Sequence, residues 1–252
     1  MTRINEKYTR LYSNGVDISG YASQIGSLDY LYGSSPQTAM SDAVMNAIAG
    51  RATVSAGSIN AFLDNDTAGL FVLANAAQST QNLMVAYGTN AIPDAGNPVF
   101  CWGFEQTDYQ VGGGDGFVPV TIPVSSASYA SVLTHAKPWG VLIHPKGAET
   151  DVNAAVGLDD VGASSAKGGV FAYQLFSSDG TVTLKMQDAA TNTDGNFSDL
   201  SGATSGSITA ASSPKSGMVA LGVTATVRRY LRWQLVFGTA TTATFALAFI
   251  RD

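Results

Sequence analysis

Residues 98–125 read PVFCWGFEQTDYQV (98–111), GGGDG (112–116) and FVPVTIPVS (117–125). Two β-rich runs flank a glycine-rich turn, and that arrangement signals a β-hairpin. Pro119 and Pro123 cannot donate hydrogen bonds to a ladder, so the second run is expected at a sheet edge or bulged. The turn lacks the Gly-Lys-Ser/Thr end of a phosphate-binding loop, and no helix pattern follows it. It reads as a hairpin turn, or as a loop that orders on assembly.

Working outward, the same signals recur. Residues 51–63 (RATVSAGSINAFL) alternate apolar and small polar residues and then meet the turn-like Asp64-Asn65-Asp66. Residues 82–88 read as a strand, and beyond Lys137-Pro138 so do 139–144, 169–176, 180–187, 217–223, 226–237 and 241–250. The polar stretch 188–216 reads as loops around one strand, with Phe197 and Leu200 tucked in. Two short helices are expected. One runs from the cap Ser35 through Pro36 to Gly50, and the other over 67–77. The fold class is therefore all-β with one or two short helices, as a β-sandwich or barrel followed by a second β-sandwich. A composition shift near residue 137 divides the chain into domains 1–136 and 137–252.

Charged residues make up only 13% of the 252, against roughly 25% in a usual soluble protein, while 45% are apolar. Such a chain forms a real core, and much of its surface is expected to be covered by neighbouring subunits. The net charge of −6 is unevenly placed. Residues 1–136 carry four basic and ten acidic side chains (4 − 10 = −6), whereas 137–252 carry nine of each. That excludes nucleic-acid binding by charge attraction and permits a surface past which a polyanion slides. The N-terminus lacks the apolar region of a signal peptide, and no run approaches 18 apolar residues. Synthesis in the cytoplasm and no membrane partner are expected.

Groups suited to catalysis are sparse. His135, His144 and the single Cys101 lack any nucleophile signature around them. Asp64-Asn65-Asp66 lacks the glycine and distal glutamate of a calcium loop, and Asp159-Asp160 and Asn192-Thr193-Asp194 read as ordinary loop residues. No catalytic residue, metal or cofactor is expected. The basic–aromatic run at 228–233 (RRYLRW) is the exception in chemistry. Arg228, Tyr230 and Arg232 share one face of a strand and could bind a ligand or a neighbouring subunit, with Leu231 and Trp233 packed inside.

From Gly15-Val16-Asp17-Ile18-Ser19-Gly20-Tyr21 to Ser125 the chain resembles the tail-tube proteins of long-tailed bacteriophages. The order of elements carries the resemblance. A short Asp-containing β segment and an extended excursion over 27–50 precede the strand 51–63, a helix near 67–77 and the hairpin quoted above. The resemblance implies a virion protein whose copies close hexameric rings, stack into a tube and let DNA pass without specific binding, beside other virion proteins. It carries over no catalytic residue. Segment 27–50, with Tyr30, Tyr32, Met40 and Met45, is the expected inter-subunit arm, and residues 104–124 are expected in the tube wall. The second half looks like β-sandwich domains appended to phage tail or capsid proteins. Two alternatives stand beside this reading. One is a capsid decoration protein forming small clusters. The other is a carbohydrate-binding module using Trp233, Tyr230 and Arg232.

Overall fold

Residues 243–251 read ATFALAFIR, and this strand shows how the molecule is built. Phe245, Leu247 and Phe249 point to one face, Ala246, Ala248 and Ile250 to the other, and all six are buried. A strand covered on both faces lies between layers rather than on a half-wetted sheet.

The computed structural model describes residues 6–36, 47–63, 81–89, 92–113, 116, 118–126, 137–159, 163–211 and 215–252. The first half contributes β1 (Thr9–Ser13), β2 (Val16–Asp17), β3 (Ala22–Ile25), β4 (Leu28–Pro36), β5 (Ala47–Ala56), β6 (Ile59–Phe62), β7 (Gln81–Tyr87), β8 (Pro98–Gln106), β9 (Gln110–Val111), β10 (Pro119–Ile122) and β11 (Val124–Ser126). The second half contributes β12 (Trp139–Glu149), β13 (Leu158–Asp159), β14 (Gly169–Ser178), β15 (Val182–Ala189), β16 (Ser198–Ile208), β17 (Ser216–Ala220), β18 (Tyr230–Phe237) and β19 (Ala243–Arg251). Two single-turn 3-10 helices, Glu6–Tyr8 and Asp194–Asn196, complete the described elements. The chain is all-β.

Nine strands form the central sheet, in the order β17-β14-β19-β12-β8-β7-β1-β2 with β11 added on β8. It crosses residue 137 without a break, because β12 pairs with β8 on one side and β19 on the other. The sheet curls until its ends meet. Gln174 of β14 donates to the Asn82 carbonyl at 2.8 Å and accepts from the Gly15 N–H at 2.7 Å. Asn82 in turn donates to Ser216 Oγ at 3.0 Å. These side chains join the two ends where no strand ladder does. Inside the closed sheet lie Tyr12, Met84, Val99, Cys101, Leu142, Val170 and Ile250, with the small Ala86, Ala172, Ala246 and Ala248 among them.

The outer face is covered twice. Trp139 pairs with Phe100 and Val141 with Phe249, two residues apart on β12, so Phe100 and Phe249 share that face. Over Leu83, Val85, Phe100 and Phe104 lies a four-stranded sheet, β3-β6-β10-β9, contributing Ile59, Ala61, Val120 and Ile122. Over Phe171, Phe245, Leu247 and Phe249 lies a second, β13-β18-β15-β16, contributing Leu184, Met186, Leu231 and Leu235. Each buried Phe or Leu contributes about 1.5–3 kcal/mol of transfer free energy.

Three expectations change. The helix from Ser35 to Gly50 is not formed at its ends: Ser35 and Pro36 close β4, and Ala47 to Gly50 open β5, opposite them in a ladder. Its apolar spacing suits either state, and cross-strand pairing wins; residues 37–46 and the second helix, 67–77, lie outside the described residues. The strand 51–63 divides at Gly57-Ser58 into β5 and β6. The hairpin forms, but β8 pairs with β11 while β9 pairs with β10, and the break falls at Pro123. Strand β10 is therefore central in its sheet, between β6 and β9, with Pro119 tolerated at its first position.

Candidate assembly interface

Strands β4 and β5 form a two-stranded sheet of their own, from Leu28 opposite Ala56 to Pro36 opposite Ala47. At ~3.3 Å per residue the nine residues of β4 span about 30 Å. Among the described residues neither strand pairs with any other. The ribbon continues the β3–β6 pair through a crossing of two glycines. The Gly26 N–H donates to the Ser58 carbonyl and the Gly57 N–H to the Ser27 carbonyl, both at 2.8 Å. A Cβ on Gly26 would meet the Gly57 Cα at 2.9 Å, so side chains are excluded where the strands cross. Tyr30 and Tyr32 sit on β4, opposite Val54 and Ala52; Met40 and Met45 lie outside the described residues.

Other open edges are shorter or interrupted. Strands β9 and β13 have two residues each. The long edge strand β16 slips register twice against β15 and carries Gly202 and Gly206 at positive φ. Such bulges twist an edge away from further pairing.

The run 228–233 is committed within the chain. Arg232 is 5% exposed. It donates to Gln187 Oε1 at 2.8 Å and the Ala154 carbonyl at 2.9 Å, pairs with Asp194, and lies over the Phe197 ring at 4.3 Å. It thereby clamps the loops before β13 and β16 onto the sheet. Arg229 bonds Asp159 through Nε and NH2, and Arg228 bonds Ser198 Oγ at 3.0 Å. Tyr230 is half-buried beside Arg229. Trp233 is 7% exposed and packs edge-on against His144 and Phe245. The strand alternation showed Leu231 and Trp233 inward but not the loops that cover Arg232.

Cys101 is buried inside the barrel, and burial pushes its thiol far up. His135 lies outside the described residues. His144 stacks on Phe245 with centroids 4.3 Å apart, and its Nε2 is 2.9 Å from Glu149 Oε1. Burial holds the imidazole below the usual histidine range, opposed by Glu149 and the Phe245 carbonyl. A histidine depressed by folding stabilises the fold above its unfolded value of about 6.5 and loses that contribution as pH falls through the lower folded value. Denaturant midpoints at pH 7.5 and 5.5 should therefore differ more in the wild type than in His144→Gln; equal differences would refute the assignment. Among the described residues no three His, Cys, Asp or Glu side chains cluster as metal ligands, and no helix is long and apolar enough to cross a membrane.

No family model matches the chain, and no curated protein matches its sequence. Among solved structures it is similar to a chain of the anti-feeding prophage (AFP) baseplate, 6-fold symmetrised, with 14% identity and a TM-score of 0.37 over 48% of this chain and 87% of that one. It is also similar to the SPP1 Dit protein, described as a paradigm of hub adsorption apparatus in Gram-positive infecting phages, with 13% identity and a TM-score of 0.32 over 96% of this chain and 98% of that one.

Proposed function

We propose that this chain is a non-enzymatic structural subunit of a phage-type particle, polymerising as hexameric rings into a tail tube that conducts DNA. The ribbon β4–β5 carries the reading. A two-stranded hairpin is marginal in water; here its root packs on the body through Val54 and Leu28, and both of its long edges are unpaired among the described residues. Pairing with another copy supplies the missing neighbours. The low charge fits a surface covered by subunits, and the acidic first half fits a wall that repels DNA rather than holding it. In this assembly residues 1–136 build the ring and 137–252 form its outer part, and hairpin 104–124 contributes to the wall.

Light scattering and electron microscopy of the purified protein test this. Six-fold rings or tubes are expected. Discrete trimers or dimers that never extend would overturn the tube in favour of capsid decoration.

A further inference from the structure

The turn between β1 and β2 carries a reactive pair. Asn14-Gly15 is the one Asn-Gly dipeptide among the 252 residues. Asn14 has φ +47° and Gly15 φ +75°, and Ser13 pairs with Val16 across them. Two positive φ values in a two-residue loop make a type I′ turn, for which Asn-Gly is the favoured sequence. The dipeptide that suits this turn is also prone to cyclise. Glycine has no side chain to shield its nitrogen, so that nitrogen can attack the carboxamide carbon of the asparagine before it.

The fold withholds the nucleophile. The turn lies at the seam where the two ends of the central sheet meet, and there the Gly15 N–H donates to Gln174 Oε1 in a buried bond of 2.7 Å. Gln174 is fixed in its place: it is 1% exposed, and its Nε2 donates to the Asn82 carbonyl at 2.8 Å. Beside the carboxamide, Ser216 Oγ lies 3.5 Å from Asn14 Oδ1 and accepts from Asn82 at 3.0 Å. To react, the Gly15 nitrogen must give its proton to hydroxide, and a buried, bonded amide does so only when the structure opens locally. Asn14 itself is only half-buried, so the protection falls on Gly15.

We infer that Asn14 is a deamidation site that the closed seam keeps silent and that seam opening releases. The deprotonated Gly15 nitrogen bonds to Asn14 Cγ, the carboxamide C–N bond breaks, and ammonia leaves with a proton taken from water. Water then opens the cyclic imide at either carbonyl, leaving aspartate or isoaspartate at position 14. Water and hydroxide are the only other reactants. Isoaspartate lengthens the main chain by one carbon inside a two-residue turn, so the Gly15 N–H no longer meets Gln174 and the sheet ends cannot rejoin as before. Aspartate keeps the turn and sets a new carboxylate three residues from Asp17. A chain that has opened at the seam is thereby marked covalently, and one that stayed closed is not.

Peptide mass spectrometry at position 14, on protein held in mildly alkaline buffer, tests this. The folded wild type should deamidate at least about tenfold more slowly than the same chain in denaturant, a ratio equivalent to ~1.4 kcal/mol of local opening. Gln174→Leu in native buffer should react at least about tenfold faster than the wild type, because the Gly15 N–H loses its acceptor. Gly140→Ala strains the β12–β19 ladder and leaves the seam intact, so it should stay near the wild-type rate. Hydrogen exchange reads the same bond without a variant: the Gly15 amide should exchange as slowly as the amides of the core strands. A folded wild type that deamidates as fast as the denatured chain, a fast-exchanging Gly15 amide, or the same rate in both variants would overturn the inference.

Discussion

Gln174→Leu will destabilise the protein by about 4 kcal/mol. Gln174 is 1% exposed and bonds two backbone groups from the opposite end of the central sheet, the Gly15 N–H and the Asn82 carbonyl. Leucine fills a similar volume and leaves both groups buried and unpaired, at about 1–3 kcal/mol each. For a chain of this size each kcal/mol lowers Tm by roughly 2–4 °C, so a fall on the order of 10 °C is expected in calorimetry. Gly15→Ala attacks the same seam. Its φ is +75°, and a Cβ would stand 2.4 Å from the Leu175 carbonyl oxygen. The chain must withdraw there, which breaks the bond to Gln174. The double variant should therefore lose clearly less than the sum of the two single losses. Additive losses, or a Gln174→Leu protein that melts like the wild type, would show that the sheet is not closed through this residue.

The second large effect lies where the halves of the chain join. In Gly140→Ala the new methyl group would sit 2.3 Å from the Phe249 carbonyl oxygen and 2.7 Å from Ile250 Cγ1. The carbonyl is main chain of β19, in the ladder with β12, so no rotamer relieves the overlap. Overpacking of this kind costs about 1–3 kcal/mol or more, and here it also loosens the pairing that carries the sheet across residue 137. A loss of at least about 3 kcal/mol in denaturant unfolding is expected. Gly195→Ala, with nothing within 4 Å of the added carbon, should stay within about 0.5 kcal/mol of the wild type. If both glycine variants unfold alike, the close approach of β12 and β19 is wrong.

Strand content was legible because it follows from side-chain alternation within each segment. β7, β8, β14, β15 and β19 fall within a few residues of where the pattern puts them. The stretch over 27–50 was legible as an extended excursion but not as a ribbon. Small and apolar residues there fit a helical spacing too, and only the partner strand settles the backbone at Ser35–Pro36 and Ala47–Gly50. In the basic–aromatic run, the parity that turned Leu231 and Trp233 inward also placed Arg232 outward. Loops bearing Ala154 and Asp194 then close over it, and their path is set far from position 232.

The sequence by itself therefore determined an all-β chain, poor in charge, with its acid excess in the first 136 residues. Those properties are local or additive, and composition and alternation carry them. Tertiary structure alone decided that the central sheet closes, that β12 joins the two halves, and that the strands cross at Gly26 and Gly57 where the ribbon begins. Each depends on contacts between residues far apart in the chain, such as Gly15 with Gln174 and Asn82 with Ser216. A glutamine, an asparagine and a serine look like surface residues until the fold buries them against one another.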